Sequence, residues 1–201
     1  GTKGAHGVGV FENGLEKFFE PITNCWVNMV DPSQAEIAEL TELGVPLDLI
    51  TYSLDMDERP RTQKEDDGTL LILMRIPYFQ GLQVDVPYTT IPLGIVLTPT
   101  MVVTICRKEN EIVQEFSSGR AKGLSTAKRY RFVLRILLST ANRYLAYLRE
   151  INRVVDSIED RIPVSSRNRE MLELLKFQKS LVYFTTALRS NELMIERLQR
   201  W

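Results

Sequence analysis

YRFVLRILLSTANRYLAYLREINRVVDSIEDRI, residues 130–162, is the stretch on which the architecture turns. Its apolar positions, from Tyr130, Val133, Leu134, Leu137 and Leu138 through Tyr144, Leu148 and Ile151 to Val155, Ile158 and Ile162, recur in steps of three, four or one without a break. That spacing holds them on one face of a helix, and at 1.5 Å per residue it predicts an amphipathic rod of roughly 55 Å starting near Ser125. Pro163 ends the rod and Ser165 or Ser166 can cap a successor, in which Met171, Leu174, Leu175, Leu181, Val182, Leu188, Ile195 and Leu198 keep the period. Two long helices joined by a short turn run antiparallel. Rods of this length outgrow the part that precedes them, so the hairpin is expected to project and find partners in further chain or in other copies. A two-helix arm closed on itself is the alternative.

Upstream the pattern is mixed. Cys25 to Val30 alternates like a strand, and Asp31-Pro32-Ser33 then opens a helix whose Ser33 and Glu36 have capping-box spacing and whose end is set by Gly44. Leu47 to Leu54 is a short helix, and Pro60 forces the chain out of it by Arg59. Three apolar runs follow, Leu70 to Tyr78, Tyr88 to Leu97 and Met101 to Cys106, with connectors short enough for an antiparallel meander. The expected fold is therefore α+β: a mixed, mainly antiparallel sheet with flanking helices over residues 1–122, then a long antiparallel helical hairpin over residues 123–201.

Composition removes several functions. The single histidine, His6, lies in a glycine-rich and frayed start, so triad or dyad hydrolysis and imidazole-based zinc or iron sites lack their central residue. Gly1 to Gly9 has glycines without the order of a phosphate loop, which leaves it a flexible leader or strand start. Cys25 and Cys106 sit in apolar runs without C-x-x-C spacing and read as reduced core thiols. The most apolar stretch, Ile91 to Cys106, is broken by Pro92, Gly94 and Pro99 and cannot span a bilayer, and the first residues lack the apolar centre of a signal peptide. Nothing points to an enzyme.

Charge is balanced overall, at net -1, but unevenly placed. Eleven acids stand between Asp31 and Asp67 against Arg59, Arg61 and Lys64, whereas Arg120 to Arg135 holds six bases and no acid. Such asymmetry suits either unlike faces meeting in an assembly or two solvated faces. The basic run has only Tyr130 for an aromatic neighbour, not the interleaved platform of a nucleic-acid binder.

Carboxylates are the chemical resource in surplus. Asp55 and Asp57, with Glu58, can hold a hydrated Mg²⁺ or another divalent cation weakly, since such ions take hard oxygens and keep their own waters. The same residues also read as a polar loop in which Asp57 or Glu58 pairs with Arg59 or Arg61. Asp156, Glu159 and Asp160 form a second cluster, read either as a weak site or as a solvated helix face near Arg153 and Arg161.

With that order of elements, the sequence resembles the cytosolic region of CorA-type magnesium and divalent-cation channels. The resemblance is carried by Trp26-Val27-Asn28, Gly44-Val45-Pro46, the Leu54-Asp55-Met56-Asp57-Glu58-Arg59-Pro60-Arg61 element, and Ile151-Asn152 to Asp156-Ser157-Ile158-Glu159. It implies a regulatory funnel domain lying before a stalk and membrane helices. It also implies a homopentamer in the full-length protein, a fragment that is a monomer or weak oligomer, a cell-membrane location with this region cytoplasmic, and hydrated Mg²⁺ bridging carboxylates of adjacent subunits. Thr51-Tyr52 and Asn142-Arg143 stand where such channels can place acids. The alternative is a soluble protein-interaction module with a projecting hairpin.

Overall fold

The computed structural model describes residues 5–11, 15–18, 23–119, 125–162 and 167–201. The predicted caps Ser165 and Ser166, the break at Pro163, the bases Arg120 and Lys122, and the 122/123 boundary lie outside the described residues.

Among the described residues seven strands, β1 (Ala5–Phe11), β2 (Leu15–Phe18), β3 (Cys25–Val30), β4 (Arg61–Lys64), β5 (Leu70–Phe79), β6 (Tyr88–Leu97) and β7 (Met101–Cys106), form one mixed sheet in the order β2-β1-β3-β7-β6-β5-β4. The meander is present as β5-β6-β7, with Leu70 opposite Leu97 and Leu93 opposite Cys106. β3 then runs parallel to β7, from Cys25 against Met101 to Val30 against Cys106. Of the two readings of the start, flexible leader or strand start, residues 5–11 take the second, as a strand paired antiparallel with β3, Ala5 opposite Val30. Small residues at Ala5, Gly7 and Gly9 hide the alternation that would have announced it.

Strand alternation sorts the core into two layers. Leu71, Leu73, Val27, Val103 and Ile105 face α1 (Gln34–Glu42) and α2 (Leu47–Leu54). Ile72, Met74, Ile76, Ile95 and Val102 face α3 (Glu111–Ser117), α4 (Arg129–Arg161) and α5 (Arg167–Leu198). α1 has both halves of the capping box, Ser33 Oγ accepting from Glu36 N–H and Glu36 Oε1 accepting from Ser33 N–H. It ends in a Schellman turn: Gly44, at φ 100°, donates to Thr41 O, Val45 donates to Leu40 O, and both Leu40 and Val45 are buried.

α4 and α5 are antiparallel, because Phe132 and Ile136 share a cluster with Met194, Tyr144 meets Phe184, and Arg161 pairs with Glu173. They do not stand clear of the body along their whole length. The start of α4 and the end of α5 cover the sheet, and only the distal portions, around Ile151, Ile158 and Phe177, rest chiefly on each other. An amphipathic rod buries its stripe where a sheet face is available. A second stripe remains uncovered, with Tyr130, Leu134, Leu138 and Leu145 on α4 and Leu172, Leu175 and Val182 on α5 all exposed.

Candidate functional site

α2 delivers the acid-rich turn. Asp55 closes the helix, its N–H donating to Thr51 O, and its carboxylate then folds the next step by accepting from Asp57 N–H at 3.0 Å. Glu58 N–H donates to Asp55 O at 3.1 Å. Pro60 releases the chain into β4. The Asp55 and Asp57 side chains are exposed, and one Asp55 oxygen is already engaged by the turn itself. Glu58 Oε1 takes Arg59 N–H at 3.2 Å and lies 3.4 Å from Arg61 Nε, so the polar-loop pairing is present for Glu58. Arg61 also covers the Tyr52 ring at 4.5 Å, and Thr51 back-bonds to Leu47 O, so both residues are used locally.

Beneath the turn lies Arg75, the one charge within LLILMRIPYF. Its guanidinium donates to Met56 O at 3.0 Å and Glu58 O at 2.9 Å, on either side of Asp57, and to Thr90 Oγ1 and O at 2.9 and 2.8 Å. Burial lowers its pKa from the ordinary arginine value, opposed by the charges of Tyr144 and Asp57. It remains a cation at any neutral pH. A second arginine, Arg107, joins Asp31 to the Leu54 carbonyl at 3.3 Å each. Sequence reasoning overlooked Arg75; a lone cation in a ten-residue apolar strand is the signal that finds it.

Among the described residues no group of three or more His, Cys, Asp or Glu side chains gathers as a metal site. Within one chain, then, a cation at Asp55 and Asp57 would keep most of its waters, as Mg²⁺ does. Asp156, Glu159 and Asp160 are exposed on α4, where Arg153 pairs with Glu150 and Arg161 with Glu173. At the start of α4, Arg129 donates to the Thr98 carbonyl while Lys128 and Arg131 are exposed. Both cysteines are buried, and burial pushes the Cys106 thiol up to about 11, out of reach of thiolate chemistry at neutral pH. No helix of the described residues is long and apolar enough to cross a membrane.

Comparison with known proteins gives a consistent picture. The cobalt/magnesium transport protein CorA of Methanocaldococcus jannaschii is 27% identical over 193 residues, covering 90% of this chain and 57% of its own length. The chain therefore spans little more than half of that relative. The complete structure of the CorA magnesium transporter from the same organism superposes with a TM-score of 0.81 at 22% identity, over 98% of this chain and 63% of the transporter. The ZntB cytoplasmic domain from Vibrio parahaemolyticus superposes with a TM-score of 0.71 at 14% identity, over 96% of this chain and 78% of that domain. At those identities the superpositions establish the shared fold. The profile of the family described as "CorA-like Mg2+ transporter protein" matches residues 23–200, nearly the whole chain, and the chain belongs to that family.

Proposed function

We propose that this chain is the cytoplasmic regulatory domain of a membrane transporter for Mg²⁺ or a related divalent cation, without catalytic activity of its own. What supports the reading, beside family membership, is the uncovered apolar stripe on α4 and α5. Exposed leucines such as Leu134 and Leu138 on α4 and Leu172 and Leu175 on α5 are built to be covered, by the rest of the transporter and by neighbouring copies in a homopentamer. In that assembly the acid-rich surface around Asp55 and Asp57 meets other subunits. Hydrated cations there screen the like charges, and their loss lets the subunits splay. The transported ion passes elsewhere, as cargo.

The deciding experiment is uptake. The complete source gene is expressed in bacteria lacking their own Mg²⁺ uptake, and growth and Co²⁺ or Mg²⁺ entry are followed. Rescue is expected, with two apolar spans encoded downstream of codon 201. A stop codon directly after Trp201, or no cation entry from a well-expressed membrane protein, would favour the interaction module instead. The isolated chain is expected to sediment as a monomer or weak oligomer; a tight pentamer at micromolar concentration contradicts that. Millimolar Mg²⁺ is expected to move its melting temperature little, because ligand stabilisation grows only as the logarithm of concentration over Kd. A shift of many degrees, abolished by Asp55→Asn with Asp57→Asn, would reveal a strong site within one chain.

A further inference from the structure

Arg75 belongs to two parts of the molecule at once. Its guanidinium reaches the α2 side and holds the Met56 and Glu58 carbonyls. Its main-chain N–H and C=O lie on the margin of β5 that β4 leaves bare, since β4 begins at Arg61 opposite Leu73 and pairs only from there to Leu70. An unpaired strand margin under two helices would be costly. Asn191 of α5 takes the place of the missing strand: Oδ1 accepts from Arg75 N–H at 2.9 Å and Nδ2 donates to Arg75 O at 2.8 Å. The Tyr144 hydroxyl of α4 donates to the same carbonyl at 2.7 Å.

We propose that Arg75 is a positioning residue that joins the Asp55–Glu58 turn to the α4–α5 pair, so that a displacement of either is carried to the other. The guanidinium is a planar fork whose bonds fix direction as well as distance, and the Asn191 amide grips the backbone of the same residue by two bonds. Neither partner can shift far without turning the residue between them. The joint also fixes a positive charge beneath Asp57. Resting on the functional reading above, a divalent cation arriving at Asp55 and Asp57 works against that charge, loosens the hold on the turn and so reaches the helices. Coupling of this kind is reciprocal.

Amide hydrogen exchange on the chain tests it. Asn191→Ala touches nothing in the turn, yet the amides of Asp57, Glu58 and Arg59 are expected to exchange at least about fivefold faster, the lower range of coupling between sites. Those of α1 should be unchanged. Equal acceleration in α1, or an unchanged turn, overturns the proposal. Arg75→Lys keeps the charge but not the fork, and should deprotect the turn as Arg75→Met does; full protection with lysine would reduce the role to charge and also overturn it. If the Arg75 variants do not fold, Asn191→Ala still decides. MgCl₂ at millimolar concentration separates the two readings. Turn amides that respond without a matching change in residues 188–194 sink the joint. No response in the turn agrees with a cation site completed only between subunits, and the Asn191→Ala result then judges the joint alone.

Discussion

Replacing Gly94 by alanine should lever α2 away from the sheet. Gly94 lies in β6, opposite Leu73 on one side and Ile105 on the other, with α2 seated on it. A Cβ added there would fall 1.9 Å from Ser53 Oγ, 2.5 Å from Ser53 Cβ and 3.4 Å from Ser53 Cα. Rotating Ser53 can remove the first clash but not the second, because Cβ is fixed to the helix backbone. Carbon atoms need about 3.5–4.0 Å, so the helix must withdraw by about 1 Å or more. Overpacking of this kind costs about 1–3 kcal/mol. Alanine recovers about 0.4–1 kcal/mol by restricting the unfolded chain. From the middle of each range the net loss is about 1–2 kcal/mol, or about 2–8 °C in melting temperature for a chain of this length. The assay is urea unfolding of Gly94→Ala alone and combined with Ser53→Gly or Ser53→Ala. Only the glycine partner should restore stability, since Ser53→Ala keeps the offending Cβ. Equal rescue by both, or a Gly94→Ala protein as stable as the parent, would refute the reasoning.

Burial raises the Tyr144 phenol above its ordinary 10.0, outweighing Arg75 and Asn191, so the fold favours its neutral form. Its contribution is fully present below the unfolded pKa of about 10 and is lost as pH rises toward the folded value. Urea midpoints should therefore hold steady to about pH 9 and fall above about 10, and Tyr144→Phe should blunt that fall while costing about 1 kcal/mol at neutral pH. Phe184, 1% exposed and edge-on to Tyr144 at 5.2 Å, locks the two long helices; Phe184→Ala should cost about 3–5 kcal/mol in the same assay. Ser33→Ala removes the cap of α1 and should cost about 1 kcal/mol, visible as a lower unfolding midpoint.

Local chemistry explains which parts of the fold were legible. The meander strands, α2 and the Gly44 stop follow from short-range patterns, and the structure places them where those patterns put them. α3 escaped notice although Asn110 caps it through Val113 N–H, because seven residues offer too little periodicity. The parallel β3–β7 pairing was hidden for a different reason: alternation marks a strand but does not name its neighbour. The candidate site divides in the same way. Asp55, Asp57 and Glu58 were visible as an acidic exit from a helix. The role of Arg75 was not, since its clamp, Asn191, lies 116 residues away and depends on where β4 happens to begin.

The β3–β7 ladder sets an order of assembly. β1 and β2 attach to the sheet through β3, and β3 attaches through β7, whose last residue, Cys106, is made 76 residues after Val30. On the ribosome the chain emerges N-terminus first. β1, β2 and β3 must therefore wait until the meander has formed beside them, and long-range closures of this kind are the slow ones. β1, β2 and β3 are thus made well before the strand that seats them.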